Sequence, residues 1–207
     1  MTASITPCCA SRPDRLRGRL RAALAALLLV VLALASPLAA ADDATITGAE
    51  IVADDGSYVL NADIDFELNP RLADAVTRGV SLYFVAEVQI ERPRWYWFNA
   101  TVVDRQLNYR LYYHAITRSY RLSIGRFHQN FDSLEAAVRT MQRIRNWQVA
   151  NGDELQAGVS HQVSLRFRLD TSQLPKPFQV TALGSRDWTL ASDWVRWTFL
   201  PGIPAFR

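Results

Sequence analysis

The chain has 207 residues, 49% of them hydrophobic, two cysteines and a formal net charge of +3, and all of that excess charge lies in the first 41 residues. Five arginines and one acid, Asp14, fall there, which leaves 18 basic and 19 acidic residues for the rest, a net of −1. The balance excludes the net basic surface that nucleic-acid backbone binding requires, and Cys8 and Cys9, placed ahead of an apolar run, leave no thiol after it for disulfides, metal sites, nucleophiles or lipid attachment.

Arg12, Arg15, Arg17, Arg19 and Arg21 lead into the uncharged run from Ala22 to Ala35, followed by Ser36-Pro37-Leu38 and Ala39-Ala40-Ala41. A basic head, an apolar middle and a small-residue tail make residues 1–41 a secretory signal peptide, with cleavage expected after Ala41. The chain is then periplasmic, as a single β-rich domain over 42–207. The alternative is an uncleaved anchor facing the periplasm from the inner membrane, because Ala22 to Ala41 gives 20 uncharged residues, near the length of a bilayer span. Roughly 165 exported residues suffice for one hydrophobic core and are few for two.

Thr45 to Ala53 and Ser57 to Leu68 flank Asp54-Asp55-Gly56, a turn between two strands, and Leu60, Ala62, Ile64, Phe66 and Leu68 alternate with polar residues. Asn69-Pro70 caps a short helical connector that Gly79 closes. Val80 to Glu91 alternates again, with Tyr83, Glu87 and Gln89 on its wet side. Val102 to His114 and Ser119 to Arg126 form a hairpin turning near Thr117-Arg118. Asp132 begins a helix with capping-box spacing to Glu135, and Leu134, Val138, Met141 and Ile144 recur at helical intervals. A short extended segment through Trp147 and Val149 ends at Asn151-Gly152. His161 to Leu169 is a strand with Arg166 and Arg168 outward, Leu174-Pro175-Lys176-Pro177-Phe178 breaks regular structure, and Trp194 to Leu200 supplies a last strand. About seven antiparallel strands with one embedded helix imply a mainly β protein, an antiparallel β-sandwich; the alternative is an antiparallel sheet with a helix packed on one face.

The segments RGVSLYFVAEVQIERPRWYWF, YRLYYHAITRSYRLS, RLDTSQLPKPFQV and SRDWTLASDW resemble an exported proteobacterial family known as domain of unknown function forty-three-ninety. The resemblance implies an envelope address and assigns no activity, ligand or catalytic residue. Family members are often encoded beside a membrane sensor kinase of the nitrogen-regulation type, which implies a signalling partner by association.

No catalytic constellation is assembled by spacing. Asp63, Asp65 and Glu67 share one strand face about 7 Å apart, a solvated edge without the glycine-bearing loop of a calcium site. His114, His128 and His161 fall in separate segments without metal-ligand spacing, and no Gly-x-Ser-x-Gly elbow occurs. Neither a metal nor a cofactor is expected. The stretch RPRWYWFNA, Arg92 to Ala100, is the candidate binding element through Arg92, Arg94, Trp95, Tyr96 and Trp97. Running straight through Pro93 would bury two arginines, so the chain either bulges, sending Trp95 and Trp97 into the core, or leaves the sheet as a loop that displays them beside guanidinium groups.

The expected function is a non-enzymatic periplasmic interaction module meeting an envelope or inner-membrane protein, such as a sensor kinase's exported domain, with no nucleic acid involved. An envelope glycan hydrolase using two carboxylates among Asp63, Asp65, Glu67 and Glu87 is the enzymatic alternative, and a glycan-binding module using Trp95 and Trp97 is the third. Intact-mass measurement of the exported protein should give a chain beginning within two residues of Asp42; recovery of Met1 in the membrane fraction would establish the anchor instead.

Overall fold

Hydrophobicity with a period of two gives each strand one apolar face to bury, and nine strands form among the residues that the computed structural model describes, 44–94, 96, 99–182 and 185–202. β1 (Ala44–Asp54) and β2 (Ser57–Phe66) pair as a hairpin, and β7 (Arg143–Asn151) joins the other side of β2. β3 (Leu82–Arg92), β4 (Ala100–His114), β5 (Ser119–Ile124), β6 (Phe127–Phe131), β8 (His161–Leu169) and β9 (Val195–Phe199) make the second sheet. The orders are β1-β2-β7 and β6-β5-β4-β3-β8-β9, with antiparallel pairing throughout. All of these strands belong to one compact unit, Asp42–Arg207.

The two sheets share a core. Leu60, Ala62, Ile64 and Phe66 of β2 face Leu82, Phe84, Ala86, Val88 and Ile90 of β3 and Val163, Leu165 and Phe167 of β8 in one buried cluster. Phe66 reaches across, its ring 5.0 Å from Phe167 and 6.1 Å from Phe84, while Phe84 and Phe167 stack 5.8 Å apart. At the other end of the small sheet, Tyr58 meets Phe199 edge-on at 5.6 Å. Such aromatic pairs add about 0.5–1.5 kcal/mol each beyond their burial.

Three strands cannot cover six, and short helices shelter the remainder. α1 (Pro70–Thr77) starts where Asn69 Oδ1 accepts the Leu72 N–H at 2.9 Å, with proline in the first turn, and buries Leu72, Ala75 and Val76 against β4. α2 (Leu134–Met141) packs on β5, β6 and β7 through Ala137 and Met141. No helix among the described residues is long and apolar enough to cross a membrane, and residues 1–41, expected to be a leader, lie outside them.

Turn chemistry sets the registers. Asp55 and Gly56 have φ of 39° and 77°, the left-handed pair that a two-residue hairpin between right-twisted strands requires. Gly152 donates its N–H to the Gly56 carbonyl at 2.8 Å, and a Cβ there would stand 2.6 Å from that oxygen, so the β1–β2 turn locks against the end of β7 only through a glycine. Within β7, Asn146 has φ 52° at a bulge opposite Asn61, whose Oδ1 accepts the Asn146 N–H at 3.0 Å. Arg145 secures the same bulge by donating to the carbonyls of Ala62 and Ile144 and to Asp63 Oδ1.

Several elements differ from expectation. The helix after β6 is capped by Ser133 Oγ rather than Asp132 and ends at Met141, and Ile144 belongs to β7 opposite Ala62. β6 is an addition to the expected strands, because an edge strand exposed at all but its last residue, Phe131, shows no alternation. The Leu174–Phe178 stretch does not break regular structure: α3 (Lys176–Ala182) begins in it, since prolines in a first turn sacrifice no helical hydrogen bond, and Phe178 packs 5.4 Å from the buried Trp188.

Tyr109 of β4 lies edge-on to Phe167 at 6.3 Å, and burial pushes its hydroxyl well above the ordinary tyrosine range. The unfolded chain releases this proton near pH 10, whereas the folded chain holds it to higher pH. The stabilisation is therefore fully present below about pH 10 and is lost as pH rises toward the folded pKa. Urea unfolding between pH 8 and 11.5 should show wild type losing about 1.4 kcal/mol per pH unit more than Tyr109→Phe above pH 10; parallel curves would contradict the shift.

Candidate functional site

With the inner face of the large sheet buried, its outer face is a polar surface built by strand alternation. Residues 83, 85, 87, 89 and 91 of β3 project there, and the register sets Tyr83 beside Arg110, Val85 between Asn108 and Arg168, Glu87 between Gln106 and Arg166, Gln89 between Asp104 and Ser164, and Glu91 beside Gln162. β5 adds Arg121 opposite Tyr112, and β9 adds Arg196 opposite Ser164. Val85 is only 3% exposed on this side, because long neighbouring side chains roof it.

Four arginines of the face fall into three environments. Arg168 donates through Nη2 and Nε to Glu87 Oε1 at 2.7 and 3.2 Å, with Asp170 Oδ1 at 3.8 Å from Nη1, and the Glu87 hydrogen bond holds its guanidinium more basic than usual. Arg166 stands 5.7 Å over the Trp194 ring. Arg110 and Arg121 flank Tyr112, 4.7 and 5.9 Å from its centroid, and Arg110 is also 5.7 Å from the Tyr83 ring. Arg110 donates from Nε and Nη2 to Ser81 Oγ at 3.3 and 3.1 Å; Arg121 donates to Asn130 Oδ1 at 2.9 Å and to the Tyr112 hydroxyl at 3.3 Å. Neither makes an ion pair among the described residues.

Residues 93–99 join β3 to β4, so the strand ends at Arg92, which pairs with Ala100, and does not run through Pro93. A register shift beside Glu91 leaves Val102 as the extra residue on β4. Arg92 donates to Gln156 Oε1 at 3.2 Å, Arg94 is exposed, and Tyr96 is 67% exposed; Trp95 and Trp97 lie outside the described residues. Near this connection, Gln89, Glu91, Asn99, Gln162, Ser164, Trp194 and Arg196 line a hollow of about 410 Å³.

The four candidate carboxylates do not converge. Asp63, Asp65 and Glu67 are exposed on or just past β2 of the small sheet, Asp63 being paired with Arg145, while Glu87 is on the outer face of the large sheet and bonded to Arg168. The core separates the two sets. The histidines are equally scattered: His161 is 1% exposed with Nδ1 donating to the Val159 carbonyl at 2.8 Å, His114 Nδ1 is 2.9 Å from Thr117 Oγ1 in the β4–β5 turn, and His128 is exposed on β6. Among the described residues no three His, Cys, Asp or Glu side chains are placed to hold a metal. The pairing of Arg110 and Arg121 around Tyr112 was missed by sequence reasoning, although alternation puts Arg110 and Tyr112 on the side opposite Tyr109 and Leu111.

Glu87→Gln removes the charge that neutralises the half-buried Arg168. It should lower stability by about 1–2 kcal/mol in urea unfolding at neutral pH, and a variant as stable as wild type would show the pair to be energetically idle.

The family model described as Domain of unknown function (DUF4390) matches residues 41–198. No curated protein and no solved structure matches the chain. Its strands, helices and outer face, nearly all within the matched stretch, make this chain a member of that family of unknown function.

Proposed function

We propose that the chain is an exported, non-enzymatic binding module of the cell envelope, and that it holds an acidic segment of a membrane protein's exported domain on the outer face of its six-stranded sheet. The leader pattern of residues 1–41 supports the address. One observation carries the binding reading: Arg110 and Arg121 are fixed around one tyrosine ring without any carboxylate partner among the described residues. A guanidinium has five N–H donors, and hydrogen bonds to Ser81, Asn130 and Tyr112 occupy only some of these. The remainder is charge and donor capacity already oriented, so an incoming carboxylate gains charge-assisted bonds with little loss of side-chain entropy.

Arg168 supplies the internal contrast. Its neighbour Glu87 satisfies it within the fold, and it offers a partner little. At the end of the sheet near Tyr83 and Tyr112, two guanidinium groups without an ion pair among the described residues gather around one ring.

The test is crosslinked capture from envelopes by the tagged chain, repeated with the Arg110→Ala/Arg121→Ala variant. Charge-assisted hydrogen bonds contribute about 1.5–3 kcal/mol each, so capture of the specific partner should fall at least about tenfold, and wild-type capture should weaken with salt. Undiminished capture by the double variant would refute the site. Loss on Arg94→Ala/Tyr96→Ala instead would move the interface to the exposed Arg94 and Tyr96.

A further inference from the structure

The hollow at the opposite end of the outer face has a different chemistry. Tyr83 and Glu91 are eight residues apart on β3, about 26 Å, so this site stands independently of the arginine–tyrosine cluster. Among the described residues its lining has one acid, Glu91, and one base, Arg196. The two charges offset each other. The other lining residues, Gln89, Asn99, Gln162, Ser164 and Trp194, are uncharged.

We infer that this hollow binds a neutral saccharide. The register sets Gln89 beside Ser164, Glu91 beside Gln162 and Ser164 beside Arg196, a grid of donors and acceptors about 5 Å across strands and 7 Å along them. Side-chain amides present a donor and an acceptor side by side, the arrangement that neighbouring sugar hydroxyls match, since each hydroxyl both gives and takes a hydrogen bond. Asn99 Nδ2 donates to Glu91 Oε2 at 3.1 Å, which orients both groups and leaves Glu91 Oε1 as an acceptor. Trp194 adds an apolar ring to the same wall, held by Arg166 at 5.7 Å. A sugar presents C–H groups on one face and hydroxyls at its rim, so it can cover the indole and bond the amides together.

Other ligand classes fit less well. An acidic peptide meets Glu91, a basic one meets Arg196, and a purely apolar ligand would strip water from the six polar side chains Gln89, Glu91, Asn99, Gln162, Ser164 and Arg196 without replacing it. At about 410 Å³ the hollow is within the range of small-ligand sites. It is open and polar, which suits a short oligosaccharide better than a buried apolar molecule.

The experiment titrates the exported protein, labelled with nitrogen-15, with four neutral tetrasaccharides (chitotetraose, cellotetraose, maltotetraose and mannotetraose) and with tetraglutamate and tetralysine as charged controls. The six tryptophan indole resonances are followed, and Trp194→Phe identifies its own signal by its absence. At least one neutral sugar should shift the Trp194 resonance saturably below about 10 mM, a weak but specific affinity, while the charged peptides leave it unmoved. Gln162→Leu and Trp194→Ala should each weaken that binding at least tenfold, and Arg110→Ala/Arg121→Ala should leave it unchanged. Circular dichroism melts establish which variants fold, and Gln162→Leu, a change at the surface of β8, serves where Trp194→Ala does not. No saturable shift with any of the four sugars, saturable binding that persists undiminished in Gln162→Leu, or preferential binding of either charged peptide would overturn the inference.

Discussion

The contact on which the rest of the molecule depends is Phe66 set against Phe84 and Phe167. It is where the last inward residue of β2 meets the adjacent strands β3 and β8 of the large sheet, and it fixes how far the small sheet extends over the large one. Because β1, β2 and β7 cover only part of six strands, Tyr109, Leu111 and Leu122 would lie open without α1 and α2. With both devices in place the inner face of the large sheet is closed to ligands. The outer face is then left wet, and its side chains are free to differ from end to end.

That freedom appears in how the sheet treats its arginines. Near the C-terminal end of β8 an arginine is matched to Glu87 inside the fold, where an unpaired charge half out of water would be costly. Toward Tyr83 and Tyr112 the arginines are more open, and stacking with neutral hydrogen bonds takes the place of a carboxylate. Toward Glu91 the surface becomes amide-rich and near neutral. One sheet thus presents a cationic end and a near-neutral polar end on a common support.

Much of the fold was legible because most strands bury one face only. Leu60, Ala62, Ile64 and Phe66, or Val163, Leu165 and Phe167, alternate with polar residues and lie inward as a half-buried strand should. The failures have the same physical origin. β6 is exposed except at Phe131, which packs partly buried against the core, so Phe127 to Phe131 has no alternation to detect. Ile144 fits a helical repeat with Met141 by number alone, since the chain changes period between them, and pairing with Ala62 settles its place. The candidate site was less legible. Alternation tells that Arg110, Tyr112 and Arg121 point outward, but only the β4–β5 register, a property of two strands, brings them together. The rival placement of Glu87 in a carboxylate pair failed for a related reason: membership of different sheets cannot be read from parity.

The identity of the cations completes the physical picture. Lys176 is the chain's sole lysine, so every basic side chain on the outer face of the large sheet is arginine. An ammonium is a compact point charge that moves on a flexible stem, whereas a guanidinium is a plane that lies over an aromatic ring and donates from its edge at the same time. Arg110 does both, over Tyr112 and toward Ser81, and Arg121 does both, over Tyr112 and toward Asn130. A lysine at either position would keep the charge and lose the orientation. The geometry of the cationic end therefore resides in the shape of the guanidinium as much as in its charge, and substitution by lysine there is not a conservative change.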